Sequence, residues 1–180
     1  KASWWQLTLI GLLMGLGVVT KYQYLLFVAP TLLLAWLLNL AYYRLVPQRV
    51  FIIPGIVMAA CFLLWQVYLV LYLGPSTAAE NFALLRQATE GAAMAFSPRL
   101  MRNSIEVLVG FSAYMGSLIP ALGYGLFLAL PRRREAQRWG VLLILVGLNL
   151  VWFVVASVGW WRYAFLGLVI GSLFVARFFI

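Results

Sequence analysis

The chain has 180 residues, of which 66% are hydrophobic and 9% are charged, and its formal net charge is +9. Soluble domains carry roughly 25% charged residues, so this composition excludes a water-soluble fold and indicates an all-α, polytopic helical membrane protein. The chain has no histidine, no aspartate and a single cysteine, so we predict neither a structural zinc site nor a cofactor. Its basic residues sit at the ends of apolar runs, where membrane topology accounts for them, so no nucleic-acid partner is predicted.

The first apolar stretch extends from residue 4 to residue 43. At ~1.5 Å per helical residue, about 40 residues make ~60 Å, which is twice the ~30 Å hydrocarbon core of a bilayer. One helix cannot use that length, so the stretch predicts two spans, 4–20 and 23–43, with a break near Thr20 and Lys21. A charge at this depth in a membrane segment is costly, which makes the position of Lys21 informative.

With the later apolar runs, the predicted number of transmembrane helices is about six, all within a single transmembrane region, 1–180. The six spans are 4–20, 23–43, 50–73, 104–130, 139–158 and 161–179. Both ends of the chain look cut, so we expect a piece of a longer polytopic protein. Two Gly-x-x-x-Gly pairs, Gly11/Gly15 and Gly167/Gly171, predict faces for close helix packing.

The one long polar segment covers residues 74–103. It predicts a short amphipathic helix at the outer face of the membrane, with capping residues from Ser76 and an end near Gly91 or Pro98.

The arginine-rich loop 132–138 sets the orientation under the positive-inside rule. With this loop in the cytoplasm and six alternating spans, most basic residues fall inside. Lys21, the segment 74–103 and Arg162 then arrive together at the outer face. We expect a multi-pass protein of a bacterial cytoplasmic (inner) membrane.

Two cations are candidate binding residues, and each has two interpretations. Lys21 is either an interfacial lysine whose side chain reaches the headgroups or, at the end of a broken helix, a contact for a lipid phosphate. Arg162, within Trp160-Trp161-Arg162-Tyr163, is either the anchor of an aromatic belt or a bidentate phosphate ligand. Tyr22 is an aromatic-belt residue or a ligand contact in the same way.

The polar segment and the residues after it carry the remaining candidates. Glu80, Glu90 and Glu106 are solvated or helix-end charges, or else a base or metal ligand, but no spacing singles one out. Glu106 has Arg102 four residues before it as a partner. Arg86, Arg99 and Arg102 are either solvated or attract an anionic headgroup. No nucleotide-binding, zinc-protease or Ser/His/Asp motif is present.

The stretch Gly11–Tyr22, GLLMGLGVVTKY, followed by Pro30, resembles a segment common in GT-C membrane glycosyltransferases. These are the protein-mannosyltransferase-like and aminoarabinose-transferase-like enzymes. Two later features are compatible with them, namely a span with Pro120 that runs into the arginine-rich loop, and Arg162-Tyr163 at the opening of a late helix. The resemblance covers the middle and later transmembrane helices only. The family's catalytic carboxylates lie in a first outer loop, before the equivalent of Lys1, so no catalytic residue is predicted here.

This resemblance implies part of a glycosyltransferase that takes a sugar from a polyprenyl-phosphate donor on the outer face. Lys21, Arg162, Tyr22 and Tyr163 would then meet the lipid phosphate, and membrane lipid and the donor would be the partners. The chain departs from the family in residues 165–175, where prolines are usual and none occurs.

Two alternatives rest on other features. Abundant aromatic residues, the glycine pairs and the lack of a carboxylate pair favour a non-catalytic structural subunit that packs against other membrane subunits. Lys21 within a broken helix favours a transporter fragment, which predicts inverted repeats that the sequence does not show.

Overall fold

The computed structural model describes residues 3–92 and 96–180. Within these ranges the chain forms eight α-helices and no strands. The helices are α1 (Trp4–Thr20), α2 (Leu25–Leu38), α3 (Arg49–Leu73), α4 (Pro75–Ala92), α5 (Pro98–Val109), α6 (Ser112–Ala129), α7 (Arg134–Ala156) and α8 (Trp161–Phe178). A 3-10 turn, Tyr22–Tyr24, precedes α2, and a π-helical turn, Asn39–Tyr43, extends it.

Five helical segments of the described chain are long and apolar enough to cross a membrane. They are Leu25–Tyr43, Arg49–Leu73, Ser112–Ala129, Arg134–Ala156 and Trp161–Phe178. Only 17% to 28% of the residues in their most apolar windows are fully buried by the rest of the protein, so many apolar side chains of these helices keep surface that faces outward. Outward-facing apolar surface on long helices requires lipid as its surroundings. The prediction of a helical integral membrane protein is therefore confirmed.

The chain divides into two compact units, Lys1–Thr89 and Glu90–Ile180. In the N-terminal unit, Gly11 faces Val57 and Gly15 faces Cys61, which shows that α1 and α3 run parallel. A Cβ atom built on either glycine would lie 2.6 Å from the facing Cβ atom, so the approach depends on the missing side chains. The first glycine pair thus packs two helices of the same unit.

In the C-terminal unit, α6, α7 and α8 form a bundle in which α8 runs parallel to α6 and antiparallel to α7. The core near one end consists of Leu108, Phe153, Tyr163 and Ala164, and the core further along consists of Ala121, Val146 and Phe174. Gly171 admits Leu118 of α6, whose Cδ1 would be 2.8 Å from an added Cβ. Helix α5 packs across the end of this bundle where α8 begins.

The predicted fourth span, 104–130, is wrong, because two helices cover it. Helix α5 ends at Val109 and α6 begins at Ser112. The exposed face of α5 carries charged and amide side chains, including Arg102 and Glu106, which cannot continue the apolar surface of α6. Gly110, a poor helix former, lies at the break.

The polar segment also differs from its prediction. Helix α4 begins at Pro75, so Ser76 lies inside the first turn and is not a cap, whereas the end of α4 at Ala92 agrees with the end expected near Gly91. Pro75 suits the first turn, where its missing N–H is not needed. Gly74 makes the corner after α3 with φ 79° and ψ 157°, a backbone conformation that is essentially restricted to glycine.

The arginine-rich loop is shorter than expected, because α7 begins at Arg134. Glu135 lies in the first turn of α7, where the positive end of the helix dipole stabilises its carboxylate.

Candidate functional site

Lys21 lies at the break between the first two helices. Helix α1 ends at Thr20, where the sequence predicted a break, and Lys21 is extended, with φ −148° and ψ 100°. Its N–H donates to the Gly17 carbonyl at 3.0 Å, and its carbonyl accepts from the Tyr24 N–H at 2.9 Å. The side chain is partly exposed, and Nζ lies 5.7 Å from the centroid of the Tyr24 ring, within cation–π range.

Tyr22 fastens this break to α3. Its hydroxyl accepts from Trp65 Nε1 at 3.1 Å and from Gln66 Nε2 at 3.4 Å. Its ring stands edge-on to Phe62, with 5.9 Å between centroids. Since α3 continues from Trp65 to Leu73, the break lies on the same side of the N-terminal unit as the α3–α4 corner, ~12 Å short of it along the helix.

The second cation, Arg162, stands in the first turn of α8. Its side chain is exposed, and Cζ lies 4.2 Å from the centroid of the Trp160 ring and 5.2 Å from that of Tyr163. Within residues 3–92 and 96–180, no ion pair of Arg162 is found. The aromatic ring covers one face of the guanidinium, so the N–H groups in the guanidinium plane can still bind two phosphate oxygens.

The Tyr163 ring packs against Trp160, the residue that supports the Arg162 guanidinium. The residue is 7% exposed, and its ring stacks on Trp160 at 5.9 Å and stands edge-on to Trp152 at 5.6 Å. These contacts are packing contacts. The predicted role of Tyr163 as a ligand of the substrate stays a prediction, as does that of Tyr22.

Helix α5 brings more positive charge to this end of the C-terminal unit. Asn103 Nδ2 donates to the Val158 carbonyl at 3.4 Å, in the turn between α7 and α8. Gly159 of that turn has φ 78°, and an added Cβ would lie 2.5 Å from Asn103 Nδ2. The exposed Arg99 and Arg102 of α5 therefore share the end of the unit where α8 begins.

The carboxylates of the described chain do not form a centre. Glu106 accepts from Arg102 Nε at 2.8 Å, as its spacing predicted, and both side chains are exposed. Glu80 is exposed on α4, and the side chain of Glu90 lies outside the described part of the structure. Among the described residues, no group of three His, Cys, Asp or Glu side chains is placed to hold a metal ion.

Asn149 is a residue that the sequence analysis missed. It is fully buried in α7, and its amide bonds the backbone of α8. The available signal was its position as a lone amide within the apolar run of α7, since polar side chains inside membrane helices commonly bond a neighbouring helix.

The four predicted site residues fall into two pairs. Lys21 and Tyr22 belong to the N-terminal unit, and Arg162 and Tyr163 belong to the C-terminal unit. A joint phosphate site of the two pairs stays a prediction. Comparison of the chain with protein-family models, with curated proteins and with solved structures finds no match. The chain is a helical integral membrane protein, with the partly exposed Lys21 near the Tyr24 ring in one unit and the exposed Arg162 on the Trp160 ring in the other.

Proposed function

We propose that this chain is part of an integral-membrane glycosyltransferase of a bacterial cytoplasmic membrane, which transfers a sugar from a polyprenyl-phosphate donor on the outer face. The observation that carries the proposal is the guanidinium of Arg162, exposed at the start of an apolar helix and stacked at 4.2 Å on Trp160. A lipid phosphate combines an anionic group with a long apolar chain. A cation at the end of a lipid-facing helix can bind the anionic group, while the apolar surface of the helix contacts the chain.

The chemistry assigned to Arg162 is stabilisation of the leaving group. In an inverting displacement the acceptor oxygen bonds to the anomeric carbon, and the bond from that carbon to the phosphate oxygen breaks. The electron pair stays on the phosphate, whose negative charge increases. A guanidinium held in place beforehand lowers the energy of that charge without reorganising during the reaction. We assign no base to this chain.

Lys21 is the second cation in the proposal. Its ammonium stands near the Tyr24 ring, and the Tyr22 hydroxyl holds the break in place through Trp65 and Gln66. Within the N-terminal unit, Lys21 would bind a phosphate oxygen as a point charge.

The test uses the complete protein that contains this chain, purified into nanodiscs, and a radiolabelled polyprenyl-phosphate sugar. We expect sugar transfer to a membrane acceptor, and about 100-fold slower transfer by Arg162→Ala, the scale for loss of one charge-stabilising donor. Lys21→Ala should also slow transfer. Arg177→Ala, in the last turn of the same helix, serves as the matched control and should transfer at the wild-type rate. Absence of both polyprenyl-phosphate binding and transfer would overturn the proposal.

A structural subunit is the second candidate. The observation in its favour is that the Tyr22 hydroxyl and the Tyr163 ring are both engaged in packing within their units. This function predicts that Arg162→Ala leaves polyprenyl-phosphate binding unchanged and weakens co-purification with another membrane subunit.

A further inference from the structure

The amide of Asn149 joins α7 to α8 through both of its polar atoms. Nδ2 donates to the Tyr163 carbonyl at 3.1 Å, and Oδ1 accepts from the Gly167 N–H at 2.8 Å. Asn149 is fully buried, and a Cβ on Gly167 would lie 2.5 Å from its Oδ1. Only glycine at position 167 therefore leaves room for the amide.

These two bonds fix α8 in one position along α7. A shift of one residue would move α8 by ~1.5 Å and turn it by about 100°, which would separate the amide from both of its partners. Apolar contacts are non-directional and tolerate such shifts. A lone buried asparagine is well suited to set the register of packed helices.

The same segment of α7 supports Arg162 through a series of contacts. Trp152, three residues after Asn149, stands edge-on to the Tyr163 ring, which stacks on Trp160, which in turn underlies the Arg162 guanidinium. The backbone of Tyr163 is held by Asn149 and its ring by Trp152. The direction of the guanidinium thus depends on where α7 holds Tyr163.

We propose that Asn149 is a positioning residue for Arg162, which it aims at the phosphate of the lipid ligand by fixing the first turn of α8. This inference rests on the proposed function. It adds that an amide buried between two helices, remote from the lipid phosphate, controls the affinity for the phosphate.

The experiment measures binding of polyprenyl phosphate to the complete protein in nanodiscs, at a temperature where every variant is folded. We expect Asn149→Ala to weaken binding about three- to tenfold, the range for one or two hydrogen bonds between membrane helices. In the Arg162→Ala background the same change should have no further effect, since Asn149 acts through Arg162.

Gly125→Ala is the matched control for loss of stability. Its added Cβ would lie 2.6 Å from the Phe174 ring, so it disturbs the same bundle away from the first turn of α8. It should bind with wild-type affinity. If Asn149→Ala fails to fold, Gly167→Ala gives the same test, because its methyl group displaces the amide.

The outcomes separate the two proposals. Wild-type affinity of Asn149→Ala, together with weak binding by Arg162→Ala, overturns the positioning role and leaves the proposed function standing. Equal losses in Asn149→Ala and Gly125→Ala also overturn the positioning role, because stability alone would explain them. Wild-type affinity of Arg162→Ala overturns the phosphate site and the positioning role with it.

Discussion

Both units contain a pair of glycines four residues apart, but the two pairs receive different neighbours. Gly11 and Gly15 let α1 lie against the backbone and Cβ atoms of α3, including the Pro54 carbonyl oxygen at 2.9 Å from an added Cβ. Gly167 instead receives the polar amide of Asn149. The Gly-x-x-x-Gly motif therefore specifies only close approach. The facing residue decides whether the contact is van der Waals packing or a hydrogen bond.

The units also place their polar links differently. In the N-terminal unit the Tyr22 hydroxyl links the break after α1 to Trp65. In the C-terminal unit the Asn149 amide lies within the bundle and is fully buried. A link near a helix end fastens a turn, whereas a link within the bundle fixes the register of two helices. Three sets of substitutions test these two differences.

The largest effect is expected from Gly11→Ala. Its Cβ would lie 2.6 Å from Val57 Cβ and 2.9 Å from the Pro54 carbonyl oxygen, and a backbone atom cannot yield as a flexible side chain can. Overpacking of this kind costs ~3 kcal/mol of unfolding free energy. Thermal unfolding in detergent micelles measures it. Gly17→Ala in the same helix, with only the Tyr24 ring at 3.8 Å, is the control and should unfold at or above the wild-type temperature. Equal unfolding temperatures for the two variants would contradict the packing of α1 on α3.

An intermediate effect is expected from Gly167→Ala, because the methyl group displaces a side chain and not a backbone atom. We expect a loss of ~2 kcal/mol in the wild-type background and ~1 kcal/mol in the Asn149→Ala background, since the amide is then gone. The same unfolding measurement on the four proteins of the cycle gives the coupling. Strict additivity would show that Gly167 and Asn149 do not interact.

The smallest effect is expected from Tyr22→Phe. The change removes the acceptor of Trp65 Nε1 and keeps the ring against Phe62. Hydrogen bonds between membrane helices contribute ~0.6 kcal/mol on average, so the unfolding temperature should fall slightly. Tyr72→Phe, at an exposed position of α3 where the ring stacks on Tyr68, should leave the unfolding temperature unchanged. A larger loss in Tyr72→Phe than in Tyr22→Phe would argue against the link.

Much of the helix pattern followed from hydropathy and length. The break at Thr20-Lys21 was predicted because ~60 Å of apolar helix cannot fit a ~30 Å core, and the structure ends α1 at Thr20. The predicted fourth span is wrong at Gly110, because the apolar residues of α5 and α6 follow each other closely in the sequence, although α5 also carries Arg102 and Glu106. Hydropathy averages over a segment and does not report which face carries the charge.

Only part of the candidate site was predictable from the sequence. Lys21 and Arg162 stand out in the sequence as charges beside apolar runs, so their positions could be identified from residue type alone. The tertiary contacts that support them could not be identified in this way. Trp65 and Gln66 meet Tyr22 from more than 40 residues away in the chain, and the stack of Trp152, Tyr163 and Trp160 depends on the turn between α7 and α8.

The sequence by itself determined the class of the protein, because a chain that is 66% hydrophobic and 9% charged can satisfy its backbone and its apolar surface together only as helices in lipid. It also identified two glycine pairs, Gly11/Gly15 and Gly167/Gly171, at which helices approach closely. The tertiary structure decided what approaches them. Val57 and Cys61 face one pair, whereas Asn149 and Leu118 face the other. Only the packing of distant helices selects these neighbours, since lipid solvates every apolar helix face equally well and hydropathy alone cannot rank them.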